Sequence, residues 1–332
     1  MNLSKKQNLF FSLIIVILIA LFIINPTSNL EACLNGIIVW GTAVAPALFP
    51  FLIFTKLLCE LNFVENVSRF LSPITKKLYN TPGISAYIYT MSVLSGYPVG
   101  AKLTADFYEK GLITQGQAIR ITTFTSTSGP LFIIGTVGIG MFGEKLIGIT
   151  ILISHFIGAL INGLFYRNYM FEKVTISSTI NYSHKSTKNM LEEIMLTSIK
   201  SILIVGGYVA IFFVIITILN DFNVFYPIKY ILSNIFNLIN IPTSTITPIL
   251  NGLVEVTRGC LDLSLVENLS FTYKTVIATF LISFGGFSIY MQAITFIKKF
   301  NIKMSFYLFQ KFTHALISSV VAYLLCLIIN LF

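Results

Sequence analysis

Residues 94–102 read Leu94-Ser95-Gly96-Tyr97-Pro98-Val99-Gly100-Ala101-Lys102, and they break an apolar run that starts at Ile84 and resumes as far as Phe107. Neither side of the break is long enough to cross a bilayer, which takes about 20 residues as a helix. The proline and glycines at the break free backbone N–H and C=O groups that hydrocarbon cannot satisfy, so the break must face protein or a wet cavity. A re-entrant helical hairpin over residues 84–107 is the simplest structure that meets both conditions.

The surroundings place that hairpin in a membrane. Of 332 residues, 55% are hydrophobic and 11% are charged, against roughly a quarter charged in an average soluble domain. So few charges cannot cover a surface in water, and the apolar residues fall into runs of membrane-crossing length. The fold class expected is all-α: a polytopic membrane protein in four parts. Residues 1–30 hold an N-terminal transmembrane helix, read as retained because no small-x-small site follows it in Asn25-Pro26-Thr27-Ser28. Residues 31–166 form a first repeat, 167–188 a polar linker and 189–332 a second repeat.

Within the first repeat, residues 32–58 cross, with Pro46 and Pro50 predicted to kink them. Residues 61–79 are amphipathic and carry Arg69, Lys76 and Lys77, the pattern of a helix lying in the interface. After the hairpin, residues 114–142 cross with a break at Thr125-Ser126-Thr127-Ser128-Gly129-Pro130, and residues 146–166 cross without one. The same order returns past the linker. Residues 201–220 cross, 224–240 read as interfacial, and 246–265 form a second hairpin broken around Asn251-Gly252. Residues 272–297 cross with a break at Ser283-Phe284-Gly285-Gly286, and 306–331 close the chain.

Sliding the sequence by 156 residues aligns Leu94 with Leu250, Gly96 with Gly252, Asp106 with Asp262, Ile121 with Ile277 and Thr123 with Thr279. It also aligns Phe124 with Phe280, Gly129 with Gly285 and Ile133 with Ile289, and sets Lys102 against Arg258. Eight identities in forty positions exceed the roughly three that ordinary composition gives by chance. An N-terminus on the cytoplasmic side leaves thirteen Lys and Arg in inner segments and only Lys145 and Lys229 in outer ones. The first hairpin then enters from inside and the second from outside. That makes the repeats inverted, an arrangement of secondary transporters, whose solute sites lie where broken helices meet at the midplane.

Four breaks are therefore expected to converge: residues 95–100, 126–130, 251–252 and 283–286. Helix starts after such breaks aim N–H groups and positive dipole ends inward, which favours an anionic solute. Lys102 and Arg258 add charge at the same level, although each has a carboxylate at i+4, Asp106 and Asp262, and Glu255 is within reach of Arg258. The candidate substrate-binding residues are Ser95, Gly96, Tyr97, Pro98, Lys102, Thr125, Ser126, Thr127, Ser128, Gly129, Asn251, Gly252, Glu255, Arg258, Ser283, Gly285 and Gly286. His155 and His314 occupy similar places in the closing helix of each repeat, where a hydrogen-bonded packing role competes with a proton relay. Cys33, Cys59, Cys260 and Cys326 lack metal or redox spacing, and the three histidines form no metal motif. No GxSxG or HExxH arrangement points to an enzyme, no cofactor is implied, and the net charge of +9 lies in loops that set orientation rather than in a nucleic-acid surface.

The run from Leu94 to Lys102, with Thr125-Ser126-Thr127-Ser128-Gly129-Pro130, Asn251-Gly252, Glu255, Arg258 and Ser283-Phe284-Gly285-Gly286-Phe287-Ser288, resembles the sporulation integral membrane protein family. That family sits within the wider Gate, or nucleoside-recognition, superfamily. The resemblance implies a fold like that of concentrative nucleoside transporters and a location in the cell membrane or outer forespore membrane. It also implies a role in moving dipicolinic acid, a planar pyridine dicarboxylate, from mother cell toward forespore. A nucleoside or other neutral cargo, and a receptor or scaffold that binds without transport, stand as alternatives.

Overall fold

The computed structural model describes residues 5–61, 63–171 and 190–329; most of the linker, with His184, and the C-terminal Phe332 lie outside them. The described residues contain helices and no strand. The chain opens with α1 (Lys5–Ile24) and α2 (Pro26–Val39), the latter starting on a proline, whose missing N–H costs nothing in a first turn. A π-helical turn, Trp40–Val44, then leads into α3 (Ala45–Glu60). Pro46 clashes with a regular i−4 carbonyl, and the wider turn just before it relieves the conflict, so the expected kink takes the form of a π-bulge. The bulge turns Trp40 toward a later helix, α9 (Met190–Asp221), where its indole N–H donates to the Ile202 carbonyl at 3.0 Å.

Helix α4 (Phe63–Tyr79) is the amphipathic segment, with Lys76 and Lys77 in its last turn where the dipole favours cations. The first hairpin is α5 (Ile84–Ser95) and α6 (Val99–Glu109). Helix α7 (Gln115–Thr125) begins at a capping box. The Thr114 hydroxyl accepts the Gln117 N–H at 3.3 Å and the Gln117 side chain accepts the Thr114 N–H at 3.0 Å. Midway along α7, buried Arg120 donates to the carbonyls of Tyr169, Met170 and Asn80 at 2.6–3.1 Å, tying together loops that would otherwise carry unsatisfied oxygens. Beyond α7 the chain is non-helical to Gly129, then runs through a π-helical stretch, Phe132–Met141, into α8 (Lys145–Phe165).

The second half repeats this order. Helix α9 is followed by α10 (Tyr226–Leu238), which buries no residue, then by the hairpin α11 (Ile246–Val254) and α12 (Val256–Ser264). Helices α13 (Phe271–Phe284), α14 (Gly286–Ile297) and α15 (Met304–Ile329) complete it. The interruption in the second hairpin falls at Glu255, in extended backbone, and not at Asn251-Gly252, which lie inside α11. The physical reason is packing. A Cβ on Gly259 would collide with the backbone of Gly252, so the two glycines let the hairpin arms touch, as small residues do between membrane helices. Glu255 ends α11 instead, because its carboxylate caps α12 by accepting the Arg258 N–H at 2.7 Å.

Among the described residues, five helical runs are long and apolar enough to cross a membrane: Pro26–Leu58, Lys145–Phe165, Met190–Asp221, Phe271–Phe300 and Met304–Ile329. The two other crossings expected from the sequence are a shorter apolar helix at Leu9–Ile24 and the broken pair containing Phe132–Met141. The surface is apolar where these helices face outward, at Leu13, Leu34, Leu203, Val320 and Leu324, whereas Gln117, Asn162, Ser154 and Gln310 are buried. A water-soluble protein does not expose that much contiguous apolar surface. The protein is an integral, multi-pass, all-α membrane protein. Helices α8 and α15 form its spine, packed so closely that a Cβ on Gly158 would collide with Ser318.

Candidate functional site

Each half brings its two breaks together through a pair of glycines. In the first, Gly96 adopts φ 70° and ψ −165°, a region essentially closed to other residues. A Cβ there would stand 2.8 Å from the Gly129 nitrogen. In the second, Gly286 has φ 71°, and its Cβ would stand 2.9 Å from the Gly252 carbonyl oxygen. Backbone meets backbone at both crossings, and only glycine permits it.

Between the crossings lies an open-mouthed cavity with about 90 Å³ of room for water-sized atoms, enough for several waters. Ser95, Gly96 and Tyr97 come from the first hairpin, Ser128 and Gly129 from the broken α7 segment, Glu255 and Thr257 from the second hairpin, and Ser288 from the first turn of α14. Val44 and Leu48 from the π-bulge and α3, and Tyr208 and Val209 from α9, add an apolar and aromatic wall. All four broken elements therefore contribute to one site. Glu255 is its acidic group, 3% exposed, and no Lys or Arg among the described residues lines it.

Behind the cavity wall runs a buried polar layer held by α8 and α15. The Ser128 N–H donates to His155 Nε2 at 2.9 Å, so that nitrogen carries no proton and Nδ1 donates to the Ser283 hydroxyl at 2.8 Å. His314 Nε2 in turn donates to the His155 carbonyl at 3.1 Å. Nearby, the Lys311 ammonium donates to the Tyr97 hydroxyl at 2.5 Å and to the Ser126 carbonyl at 2.9 Å, and the Ser126 and Tyr307 hydroxyls share a bond of 2.9 Å. Further along, Asn162 donates to the Thr123 carbonyl at 2.8 Å and accepts from Thr313 at 2.8 Å, and Thr122 donates to Gln310 at 3.2 Å. These bonds satisfy the carbonyls that the broken helix releases.

The comparisons with known proteins agree with this layout. The Gate family model, described as nucleoside recognition, matches residues 42–145, from the π-bulge through the first hairpin and broken helix. Sporulation integral membrane protein YlbJ of Bacillus subtilis (strain 168) is 30% identical over 322 residues, covering 91% of this chain and 79% of that protein. The chain belongs to the sporulation integral membrane protein family. It is thus a Gate-domain, transporter-like membrane protein and not a member of a known enzyme family. No solved structure matches the chain at a significant level.

In this family member the residues singled out in the sequence fall into three groups. Ser95, Gly96, Tyr97, Ser128, Gly129 and Glu255 line the cavity. A second group supports it from behind. Pro98, joined to Tyr97 by a cis bond, and Gly285, which ends α13 in the left-handed region, shape the breaks. Thr125 donates to the Ile121 carbonyl at 2.9 Å, Thr127 shares a bond of 3.1 Å with Ser92, and Ser126 and Ser283 face Tyr307 and His155. Gly252 and Gly286 pack against each other.

The third group lies away from the cavity wall. Arg258 pairs with Asp262 at 2.8 Å and stacks over Phe213 at 5.2 Å, while Asn251 donates to the other Asp262 oxygen at 2.6 Å and accepts from Asn220 at 3.0 Å. Lys102 is exposed, with no ion pair to Asp106 among the described residues. Neither base lines the cavity, because each projects from its short helix on a face turned away from the break.

Lys311, Tyr307, Asn162 and Gln310 were not legible as site residues. They stand inside unbroken helices, where sequence reading finds only span. The available signal was Lys311 itself, the one formal charge in residues 304–332, since an ionisable residue inside a membrane segment points to function by default.

Proposed function

We propose that this protein carries a small polar solute across the membrane, with the cavity between the two hairpins as the solute site and the two halves as inverted repeats that expose it alternately. The observation that carries this reading is that all four broken elements line one cavity. Four breaks free backbone groups at a cost of several kcal/mol per unsatisfied group in hydrocarbon. A scaffold has no use for that expense, whereas a solute site uses the freed dipoles.

The cargo we propose is dipicolinic acid, moved from mother cell toward forespore, with the protein in the outer forespore membrane and its N-terminus in the cytoplasm. Support comes from the sporulation role named for the Bacillus subtilis relative and from an aromatic and serine-lined cavity at helix starts, which suits an aromatic carboxylate. A neutral nucleoside is the second reading. It is favoured by Glu255, which puts a carboxylate and no cation on the cavity wall, and by the description of the matched family.

Purified protein in liposomes, supplied with labelled dipicolinate or uridine, decides between them. Dipicolinate flux that unlabelled dipicolinate competes away supports the first reading. Uridine flux alone supports the second, and binding without flux returns the protein to the receptor class.

A further inference from the structure

Lys311 is 5% exposed, about two turns into the membrane-length helix α15, and no carboxylate among the described residues pairs with it. Its partners are neutral: the Tyr97 hydroxyl at 2.5 Å and the Ser126 carbonyl at 2.9 Å, with the ammonium 4.5 Å from the Tyr97 ring centre. The titratable groups nearby are also uncharged as bonded here: Tyr307 of the same helix, through Ser126, and His155 of α8, through Ser128 and Ser283. A lone ammonium in this setting is costly.

Tyr97 links this ammonium to the cavity, because its hydroxyl accepts from Lys311 and Tyr97 itself lines the wall. The other bonds of its hydroxyl are long, 3.4 Å to the Ile282 carbonyl and 3.5 Å to that of Ser283. A hydrogen bond at that length holds little. The hydroxyl therefore rests chiefly on Lys311 and is free to give way to a better acceptor.

We propose that Lys311 is the residue that selects carboxylate over neutral cargo: a solute carboxylate entering the cavity displaces the Tyr97 hydroxyl and takes its place on the ammonium. The exchange gives the ammonium an oppositely charged partner in place of a neutral one, and such attraction is stronger where water is excluded. Glu255, on the other wall, does not compete for Lys311, since its carboxylate is turned to the N–H of Arg258 at 2.7 Å. This assignment rests on the dicarboxylate reading above and gives that reading the cation that the cavity wall lacks.

The test measures binding of dipicolinate and of its neutral isostere, pyridine-2,6-dicarboxamide, to the full-length protein in nanodiscs. Lys311→Met is expected to weaken dipicolinate by about tenfold or more while the dicarboxamide changes by less than about twofold. Tyr97→Phe, which removes the competing hydroxyl and keeps the ring, is expected to hold or tighten dipicolinate. Lys311→Arg, which keeps the charge if the methionine variant fails to insert, should retain preference for the dianion.

Equal weakening of both compounds by Lys311→Met, or an unchanged ratio in it, overturns the assignment to Lys311 alone. The same holds if Tyr97→Phe weakens dipicolinate and the dicarboxamide alike. A wild-type protein that binds neither compound, or only the dicarboxamide, overturns the dicarboxylate reading together with this one.

Discussion

The Nδ1 of His155 lies 2.8 Å from the Ser283 hydroxyl, so a residue of the first half hydrogen-bonds the break in the second. Its other nitrogen holds the Ser128 N–H at 2.9 Å, in the break of its own half. One fully buried imidazole thus joins the two discontinuous helices where they meet, and its removal should be felt in both.

His155→Phe keeps the ring volume and leaves the Ser128 N–H and the Ser283 hydroxyl without their partner. Each orphaned group costs about 1–3 kcal/mol when buried. The expected outcome is a clearly lower melting temperature in detergent and loss of solute flux per inserted molecule. His155→Gln, which offers both an acceptor and donors, should fall between. A phenylalanine variant that melts and transports like the wild type would remove the stapling role.

Gly96→Ala tests whether the first glycine crossing is required. The substitution brings a Cβ within 2.8 Å of the Gly129 nitrogen at a backbone angle that alanine avoids, at a cost of about 1–3 kcal/mol from the backbone alone. Gly111→Ala shares the positive φ but meets nothing within 4 Å, and Gly207→Ala meets nothing within 4 Å in a regular helix. Thermal melts of the three should rank Gly96→Ala as the most damaging, Gly111→Ala intermediate and Gly207→Ala near neutral. If Gly111→Ala matches Gly96→Ala, conformation rather than close approach is the constraint.

For the pair Arg258–Asp262, the geometry favours mutual neutralisation over contact with cargo. Arg258→Gln is expected to lower the amount of inserted protein, because it leaves Asp262 with Asn251 as its remaining partner. Adding Asp262→Asn should restore both insertion and flux, since no unpaired charge then remains. Flux that stays low in the double variant while insertion recovers would return Arg258 to the solute path.

Topology gives the last prediction. Single cysteines placed at His184 and at Phe332, both outside the described residues, are expected to react with an impermeant maleimide from opposite sides of the membrane. His184 should share the side of the N-terminus, where the basic loops gather. Labelling of both from one side would be incompatible with inverted halves.

The sequence by itself determined the solvent of this protein, the order of its helices and the places where they break. Hydrophobic run length answers to bilayer thickness, and Pro98, Gly96, Gly129 and Gly285 act on their own backbone, so these features are local and readable. The exception was Asn251-Gly252, where a glycine that serves packing between hairpin arms reads the same as one that ends a helix. Only the tertiary structure decided what faces the cavity. Lys102 and Arg258 looked like the site's cations because they follow the breaks in sequence, yet a short helix turns about 100° per residue and carries them off the wall. Lys311, more than 200 residues from Tyr97, reaches the site because α15 packs along α8, a contact between distant segments that no local pattern encodes.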